Sequence, residues 1–285
     1  MWKIARSLNI ADEIELLAAG IEPQRQKSAK AISFFEDNNI RWFDARKIRK
    51  NSDVLELFSE ADVVIVGAFG QILSKELLQA PKYGVLNFHP SLLPSYRGGS
   101  PIEEQILRGD TNGGISAHWM TEQVDEGPLV DSKSVKIESI DEYNAVYDKC
   151  ELAAEKIMLK LASIPLSKWP KEEVSSNEAT FPVRTSEDGI ICWSDDAELI
   201  LRKVRALGWR GWTKSNLDSG ELVIRSAKIE QQKEGVYQPG MVIESGDNPL
   251  IATGNNFLRI LDYSSSRPLK KMEVLKSFSL SNSDV

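Results

Sequence analysis

Short apolar runs alternate with helical patterns along the first half of the chain. Asp62–Gly67 (DVVIVG) is almost entirely β-branched and ends in glycine, which is typical of a fully buried strand. Gly84–His89 (GVLNFH) and Ile115–Met120 (ISAHWM) predict two further strands, and Glu13–Ile21 predicts an earlier one.

Helical patterns lie between and after these strands. Ser28–Asn38 predicts one helix. Ser100–Arg108 (SPIEEQILR) predicts another, with its serine as N-cap, its proline in the first turn and a glutamate reaching back. A long amphipathic pattern over Asp141–Ser163 predicts a third. This alternation of strands and helices predicts an α/β fold with a mostly parallel sheet covered by helices.

The pattern changes after a polar stretch that contains prolines, which we interpret as a linker over residues 165–189. Asp195–Leu207 then predicts one helix. Short runs separated by turn residues predict strands at Glu221–Ile229, Met241–Glu244, Pro249–Thr253 and Phe257–Tyr263. We therefore expect an α/β domain over residues 1–164 and a small β-barrel domain over residues 190–285.

Composition narrows the class of protein. Of the 285 residues, 41% are hydrophobic and 27% are charged, as in an ordinary globular chain. No apolar run reaches the ~18 residues of a membrane span, and the start lacks a secretory signal, so we expect a cytoplasmic protein without membrane contact. Two distant cysteines predict neither a disulfide framework nor a metal site. The net charge of -7 argues against a generally basic nucleic-acid binder.

Polar residues gather where two predicted strands end. Asn87 and His89 are two apart in a strand and therefore point to the same face. Asp125 lies on a sharp turn after the Ile115–Met120 strand. If these strand ends adjoin, as ligand sites in open α/β sheets do, the three side chains converge.

An asparagine, a histidine and an aspartate together fit one kind of chemistry. The carboxylate would orient the imidazole and raise its pKa, and the imidazolium and the amide would both donate to one developing oxyanion. No serine or cysteine is placed to act as nucleophile beside His89, so direct attack by an amine or water is favoured. On spacing alone, structural roles explain the three residues equally well, with His89 capping a strand end, Asn87 making a turn and Asp125 as a solvated loop acid.

Other candidate motifs favour structural roles. The chain has only two histidines, and the second, His118, is flanked by apolar residues within a strand, which favours a satisfied structural histidine. Trp209 and Trp212, in the segment GWRGW, favour packing in the barrel over a stacking surface. Phosphate-loop and ordinary dinucleotide motifs do not occur.

The segments GVLNFHPSLLPSYRGGSP and HWMTEQVDEGPLV resemble the formyltransferase family that uses 10-formyltetrahydrofolate, and the similarity runs from about Asp62 to Ile137. The resemblance implies a Rossmann-like catalytic domain, with 10-formyltetrahydrofolate as formyl donor and no metal. It implies that Asn87, His89 and Asp125 are the catalytic residues. It also implies that a folate pocket is walled by Phe69, Gly70, Gln71, Ile72, Leu73, Val124 and Gly127.

The second domain resembles the carboxyl-terminal, OB-like barrel of methionyl-tRNA formyltransferases, through Arg184–Trp193, Pro239-Gly240, Ala252-Thr253-Gly254 and Met272. Two departures accompany this likeness. The family's opening strand is absent, and Trp2–Asn9 resembles the helix that follows it. A long basic loop of the tRNA-modifying members is short here and keeps Arg25, Lys27 and Lys30.

These features predict an N-formyltransferase whose acceptor is a small-molecule amine, such as a nucleotide amino sugar, in preference to methionyl-tRNA. A hydrolase that releases formate and an inactive folate- or RNA-binding relic are the alternatives. A tRNA acceptor would need phosphate contacts. The cations available for them are Arg25, Lys27, Lys30, Arg97, Arg202, Lys203, Arg205 and Arg210. We expect those after residue 200 to form the solvated face of a surface helix.

Overall fold

The computed structural model describes residues 15–22, 28–50, 52–174, 180–218, 220–231 and 235–276. These residues form two compact units, each assembled from separated stretches of the chain. The first unit holds the described parts of Met1–Gly98, Asn112–Lys136 and Tyr147–Phe181. The second holds those of Gly99–Thr111, Ile137–Val146 and Pro182–Val285. The domain limits expected from the sequence, at residues 164 and 190, stay a prediction.

The strands of the first unit form two sheets. Their bounds are β1 (Ala19–Ile21), β2 (Trp42–Asp44), β3 (Val64–Gly67), β4 (Val85–His89), β5 (Asn112–Trp119) and β6 (Leu129–Lys136). A two-stranded sheet pairs β1 with β2 in parallel, and a four-stranded sheet has the order β3-β4-β5-β6. The predicted α/β class is confirmed.

The four-stranded sheet is mixed, whereas the sequence predicted a mostly parallel one. Strands β3 and β4 are parallel, but β4 and β5, and likewise β5 and β6, are antiparallel. The reason is clearest for β5 and β6, because the residues 120–128 between them are too few for the crossover that a parallel pair requires.

The helices before the barrel follow the predicted pattern closely. Their bounds are α1 (Ser28–Asp37), α2 (Ser52–Glu60), α3 (Lys75–Gln79), α4 (Pro101–Arg108) and α5 (Tyr143–Ala162), with a 3-10 helix at Ala45–Lys50. Helices α1, α4 and α5 confirm predictions, and α2 and α3 were not predicted. Apolar side chains of α2 and α3, among them Val54, Phe58 and Leu77, pack with Val85 and so anchor the start of β4.

Ser100 is the N-cap residue of α4 and Pro101 lies in its first turn, as predicted, but the predicted capping hydrogen bonds are not made. Ser100 has a positive φ of 55°, and its side chain makes no capping bond to the helix. Its hydroxyl oxygen instead accepts a hydrogen bond from the Arg184 backbone N–H at 3.0 Å. Glu103 and Glu104 are buried and pair with Arg210 and Arg184, so the glutamates of the first turn serve ion pairs rather than a capping box.

The second unit contains a small antiparallel barrel. Helix α6 (Ala197–Leu207) precedes five strands in the order β7-β8-β11-β10-β9. Their bounds are β7 (Lys214–Leu217), β8 (Gly220–Glu230), β9 (Val242–Glu244), β10 (Leu250–Ala252) and β11 (Phe257–Ser265). Bridges from Asn216 to Lys276 and from Met241 to Val274 link both outer strands to one final segment. The predicted barrel is thereby confirmed, although β7 was not predicted.

Some sequence predictions fall where the structure gives no description. The helix expected at Trp2–Asn9 lies outside the described residues, as do Arg25 and Lys27. Of the strand expected at Glu13–Ile21, residues 15–18 are irregular and Ala19–Ile21 forms β1. Within the described parts of the chain, every helix is too short or too polar to cross a membrane.

Candidate active site

Strand β4 presents two polar side chains to one face of the four-stranded sheet. Asn87 lies opposite His118 of β5, and His89 lies opposite Ser116. Because side chains alternate along a strand, Asn87 and His89 share this face, whereas Phe88 between them is buried on the other. The same-face arrangement predicted from the sequence is therefore observed.

A tight connection between β5 and β6 carries Asp125 to the same place. Asp125 itself has a positive φ of 53°. Two residues later, a Cβ atom added to Gly127 would lie 1.7 Å from the Trp119 carbonyl oxygen, so only glycine allows the chain to pass this close. The connection thus folds back over the end of β5 and directs Asp125 toward β4.

The structure brings the three predicted residues together. One oxygen of Asp125, Oδ2, lies 3.4 Å from His89 Nδ1 and accepts a hydrogen bond from the Gly98 backbone N–H at 2.9 Å. The other oxygen, Oδ1, accepts a longer hydrogen bond of 3.5 Å from the Asn87 amide. Asp125 is thus the common partner of both β4 side chains.

A fourth polar side chain, His118, belongs to this cluster and was not among the predicted site residues. Its Nε2 atom lies 3.3 Å from Asp125 Oδ1 and 3.1 Å from Asn87 Nδ2. The sequence interpretation of a buried, satisfied histidine holds, since the residue is 1% exposed. Its proximity to the site depends on the register between β4 and β5. The one signal in the sequence was that the only two histidines lie on successive predicted strands.

The loop after β4 covers this face of the sheet. Ser116 Oγ accepts a hydrogen bond from the Leu93 backbone N–H and donates one to the Ser91 carbonyl oxygen. Farther along the loop, the Tyr96 carbonyl oxygen lies 2.8 Å from His89 Nε2. A carbonyl only accepts, so His89 Nε2 carries a proton and donates it to Tyr96. The expectation that His89 and Asn87 both point their donors at one oxyanion is therefore not met in this arrangement.

Burial controls the protonation of His89. The residue is 5% exposed, and this burial, the largest influence, lowers its pKa below the ordinary 6.5. The Asp125 charge and the Tyr96 carbonyl act in the opposite direction but are outweighed. The sequence prediction of a raised pKa is therefore wrong, because it counted the neighbouring carboxylate and could not count the loss of water.

At Asp125 hydrogen bonds and charge outweigh burial in setting the pKa, whereas at His89 burial outweighs them. Its burial favours the neutral acid, but hydrogen bonds from His118 and the Gly98 N–H, together with the charge of His89, hold its pKa below the ordinary 3.8. Asp125 is therefore ionised at neutral pH. An ionised carboxylate next to a neutral imidazole is a pair that can stabilise a proton taken up by the ring.

The residues predicted to wall a folate pocket divide into two groups. Phe69 and Leu73 pack in the apolar cluster beneath β4, and Gln71 donates a hydrogen bond to the Ala45 carbonyl oxygen. Ile72 and Val124 are apolar but 63% and 44% exposed. Gly70 is exposed beside Ile72, and Gly127 is buried under the hairpin. Ile72 and Val124 are thus the apolar side chains in this set that a ligand could cover.

The predicted cations have partners within their own units. Arg97 is buried and pairs with Glu126 at 2.7 Å. Arg205 is also buried, and it donates to the carbonyl oxygens of Asp141 and Glu138. The expectation that the cations after residue 200 form a solvated helix face is wrong for Arg205.

The remaining three cations of that group also bind acceptors. Arg202 donates to the Leu107 carbonyl oxygen, and Lys203 donates to that of Ile190. Arg210 pairs with Glu103, and its guanidinium lies over the rings of Trp209 and Trp212. Trp209 also stacks on the ring of Tyr143, with the ring centroids 4.2 Å apart. Lys30 lies exposed on α1.

Comparison with known proteins assigns the family. Residues 17–161 match the family model described as formyl transferase, and residues 184–279 match the model described as formyl transferase, C-terminal domain. The chain belongs to the formyl transferase family. It is therefore an enzyme of formyl transfer, as the sequence resemblance implied.

Curated relatives cover most of the formyl transferase chain. A methionyl-tRNA formyltransferase of Caldanaerobacter subterraneus subsp. tengcongensis is 31% identical over 260 residues, which are 87% of this chain and 84% of that one. A methionyl-tRNA formyltransferase of Staphylococcus epidermidis is 31% identical over 257 residues, 86% of this chain and 82% of that one.

Two solved structures share the fold of this chain. The HypX structure from Aquifex aeolicus with tetrahydrofolic acid matches with a TM-score of 0.71 at 17% identity. The match covers 88% of this chain but 44% of HypX, so the chain spans less than half the length of that protein. WlaRD, a sugar 3N-formyl transferase crystallised with dTDP and 5-N-formyl-THF, matches with a TM-score of 0.67 at 16% identity over 91% of this chain and 93% of that one.

Within the described residues, no group of three or more His, Cys, Asp and Glu side chains is arranged to hold a metal ion.

Proposed function

We propose that this formyl transferase moves the formyl group of 10-formyltetrahydrofolate to the primary amine of a small molecule, such as a nucleotide-linked amino sugar. The observation that carries the proposal is the cluster beside β4, where an amide, two imidazoles and an ionised carboxylate contact one another. Such a cluster can stabilise a developing negative charge and move a proton.

Two similar folds support a folate-derived donor. Two similar folds, HypX and WlaRD, were crystallised with tetrahydrofolic acid and 5-N-formyl-THF respectively. In this chain Ile72 and Val124 expose apolar side chains, and each lies in a loop. Covering apolar surface of this kind stabilises binding by ~25 cal/mol per Å². The two loops that carry Ile72 and Val124 also contain residues that would hold the loop backbone in place. These are Phe69, Gly70, Gln71, Leu73 and Gly127.

The side chains of the cluster divide the chemistry between them. When bound, the donor supplies the formyl carbon that the neutral amine attacks. Asn87 gives up its 3.5 Å hydrogen bond to Asp125 and donates that amide N–H to the formyl oxygen as negative charge develops there. His89 accepts at Nδ1 the proton that the attacking amine loses, and returns it to the nitrogen from which the formyl carbon departs. Asp125 stabilises the imidazolium during this exchange.

Charge distribution supports a small acceptor. Residues 182–285 contain 14 Lys and Arg and 14 Asp and Glu, so this part of the chain has no basic surplus. Its cations Arg202, Lys203, Arg205 and Arg210 already bind acceptors within the second unit. A tRNA acceptor needs several cations to neutralise phosphates, and here those cations would have to give up existing partners.

Methionyl-tRNA is the second candidate acceptor. The observation in its favour is that curated methionyl-tRNA formyltransferases are 31% identical to this chain across most of its length. The similarity extends over the barrel as well as the residues around β4, since the second family model matches residues 184–279.

A panel of acceptors tests the proposal. The protein and 10-formyltetrahydrofolate are incubated with a dTDP-linked amino sugar, with initiator methionyl-tRNA, or with the N-acetylated sugar as a control without a reactive amine. Formylated product is measured by mass spectrometry at about 50 and 200 mM salt. We expect saturable, salt-tolerant formylation of the free amino sugar, and weak formylation of tRNA that disappears at the higher salt.

Efficient formylation of initiator tRNA at the higher salt would reverse this ranking and assign the tRNA acceptor. Formate release at the same rate in every mixture would identify a hydrolase instead.

A further inference from the structure

His118 contacts two of the residues of the proposed reaction, Asn87 and Asp125. It lies on β5 directly opposite Asn87 of β4, and its ring is enclosed. Each of its two ring nitrogens faces a polar group. Nδ1 lies 3.2 Å from the Trp119 carbonyl oxygen, and Nε2 lies between Asn87 Nδ2 and Asp125 Oδ1.

The partners of the two ring nitrogens determine whether each nitrogen of His118 donates or accepts a hydrogen bond. The Trp119 carbonyl oxygen only accepts, so His118 Nδ1 carries a proton. In the neutral ring, Nε2 accepts a hydrogen bond from the Asn87 amide. In the protonated ring, Nε2 donates to Asp125 Oδ1. In either state the histidine holds one of the two side chains through the same nitrogen.

We propose that His118 is a positioning residue: through Nε2 it holds the Asn87 amide when its ring is neutral, and the Asp125 carboxylate when its ring is protonated, in the orientation that formyl transfer requires. The inference rests on the proposed function, because it assigns Asn87 and Asp125 a role in that reaction. His118 acts through these two side chains and does not itself touch the reacting atoms.

The electrostatics of Asp125 agree with this role. The groups that face its carboxylate are Asn87 and His89 from β4, His118 from β5 and the Gly98 N–H from the loop. Burial raises the pKa of Asp125, and the hydrogen bond from His118 is the strongest influence that lowers it. Without that bond, the carboxylate would become protonated at higher pH.

Two polar variants separate positioning from folding. Asparagine at this position reaches about as far as Nδ1, so His118→Asn keeps a donor for the Trp119 carbonyl and loses the contacts of Nε2. Glutamine reaches about as far as Nε2, so His118→Gln restores a polar partner for Asn87 and Asp125. Ile115→Val is the matched packing control, because Ile115 is buried on the opposite face of the same strand.

The experiment measures kcat, the KM for the donor, the urea midpoint of unfolding and the pKa of Asp125. The pKa is read from a carboxyl-carbon NMR titration, with the signal assigned by its loss in Asp125→Asn. We expect His118→Asn to lower kcat by about 10²-fold, the effect of a misplaced reacting group, with little change in KM. We expect it to raise the pKa of Asp125, and His118→Gln to restore both values toward the wild type. Ile115→Val should alter neither.

The inference is overturned if the asparagine and glutamine variants have the same kcat and the same Asp125 pKa. It is also overturned if His118→Asn changes only the unfolding midpoint. If the wild-type protein transfers no formyl group, the proposed function fails. The NMR titration then still shows whether His118 holds Asp125.

Discussion

Burial and hydrogen bonding oppose each other at His89. Its ring is enclosed, which favours the neutral form, while Asp125 Oδ2 at 3.4 Å and the Tyr96 carbonyl at 2.8 Å favour the cation. Burial prevails, so the ring is neutral at pH 7 and is able to take up a proton. A neutral imidazole suits the removal of a proton from an attacking amine, whereas the imidazolium expected from the sequence would have suited only donation.

This balance predicts the pH dependence of turnover. Because the pKa of His89 lies below 6.5, kcat should rise with pH to a midpoint below 6.5 and remain level at neutral pH. Replacing Asp125 removes the charge that favours the cation, so Asp125→Asn should move this midpoint lower still. The variant should also reduce kcat by roughly 10² to 10⁴-fold, the range for an acid–base group.

The measurement is a kcat profile for the wild type and for Asp125→Asn at saturating donor and amine. A wild-type midpoint above 6.5, or a midpoint that rises in the variant, would contradict the assignment of His89 as the proton acceptor.

The residues of the site could be predicted only in part. The period of two in a strand placed Asn87 and His89 on one face, and the turn after β5 indicated Asp125. The contacts of His118 could not be derived, because they depend on which residues of β4 and β5 lie opposite each other. The Tyr96 carbonyl was also beyond prediction, since a backbone contact across a loop has no signature in residue types.

At the scale of elements, hydrophobic periodicity located strands and helices well wherever they are strongly apolar. β4, α5 and most barrel strands agree with prediction within a few residues. Three strands were missed: β2 is only three residues long, and β6 and β7 contain mostly polar residues, LVDSKSVK and KSNL. Such strands are held by pairing with a neighbour rather than by an apolar face, so their own sequence carries little signal.

In helix α4, the sequence predicted a capping role for a glutamate, whereas Glu103 and Glu104 form ion pairs. Its Glu104 is 1% exposed and is paired with Arg184, which also binds Asp188 at 2.7 Å. Because removal of Arg184 leaves the buried Glu104 carboxylate dependent on its longer contact with Arg108, at 3.7 Å, Arg184→Met should lower the free energy of unfolding by about 3 kcal/mol. Urea denaturation of the purified protein measures this change.

The matched control is Arg225→Met, since Arg225 and its partner Asp262 are both exposed. An exposed pair contributes less than about 1 kcal/mol, so this variant should unfold near the wild-type midpoint. Equal effects of the two substitutions would show that the contact between Arg184 and Glu104 does not stabilise α4.

At the scale of the whole molecule, the net charge of the chain and the charge of residues 182–285 lead to different conclusions about a nucleic-acid partner. The chain carries -7 overall, yet residues 182–285 are balanced, so the whole acidic surplus lies before them. Net charge alone therefore could not exclude a nucleic-acid partner for residues 182–285. The partners of the individual arginines and lysines, which only the structure gives, are what favour a small acceptor.

The central claim is that this chain transfers a formyl group to an amine through Asn87, His89 and Asp125. The most direct measurement is tetrahydrofolate release from 10-formyltetrahydrofolate, with and without the amino sugar, for the wild type and Asn87→Ala. Asn38→Ala serves as control, because Asn38 is an exposed asparagine just after α1.

We expect wild-type release to depend on the amine and to fall by about 10² to 10³-fold in Asn87→Ala, the effect of losing one oxyanion donor, with Asn38→Ala unchanged. Release that is independent of the amine, or that is as fast in Asn87→Ala as in the wild type, would contradict the account.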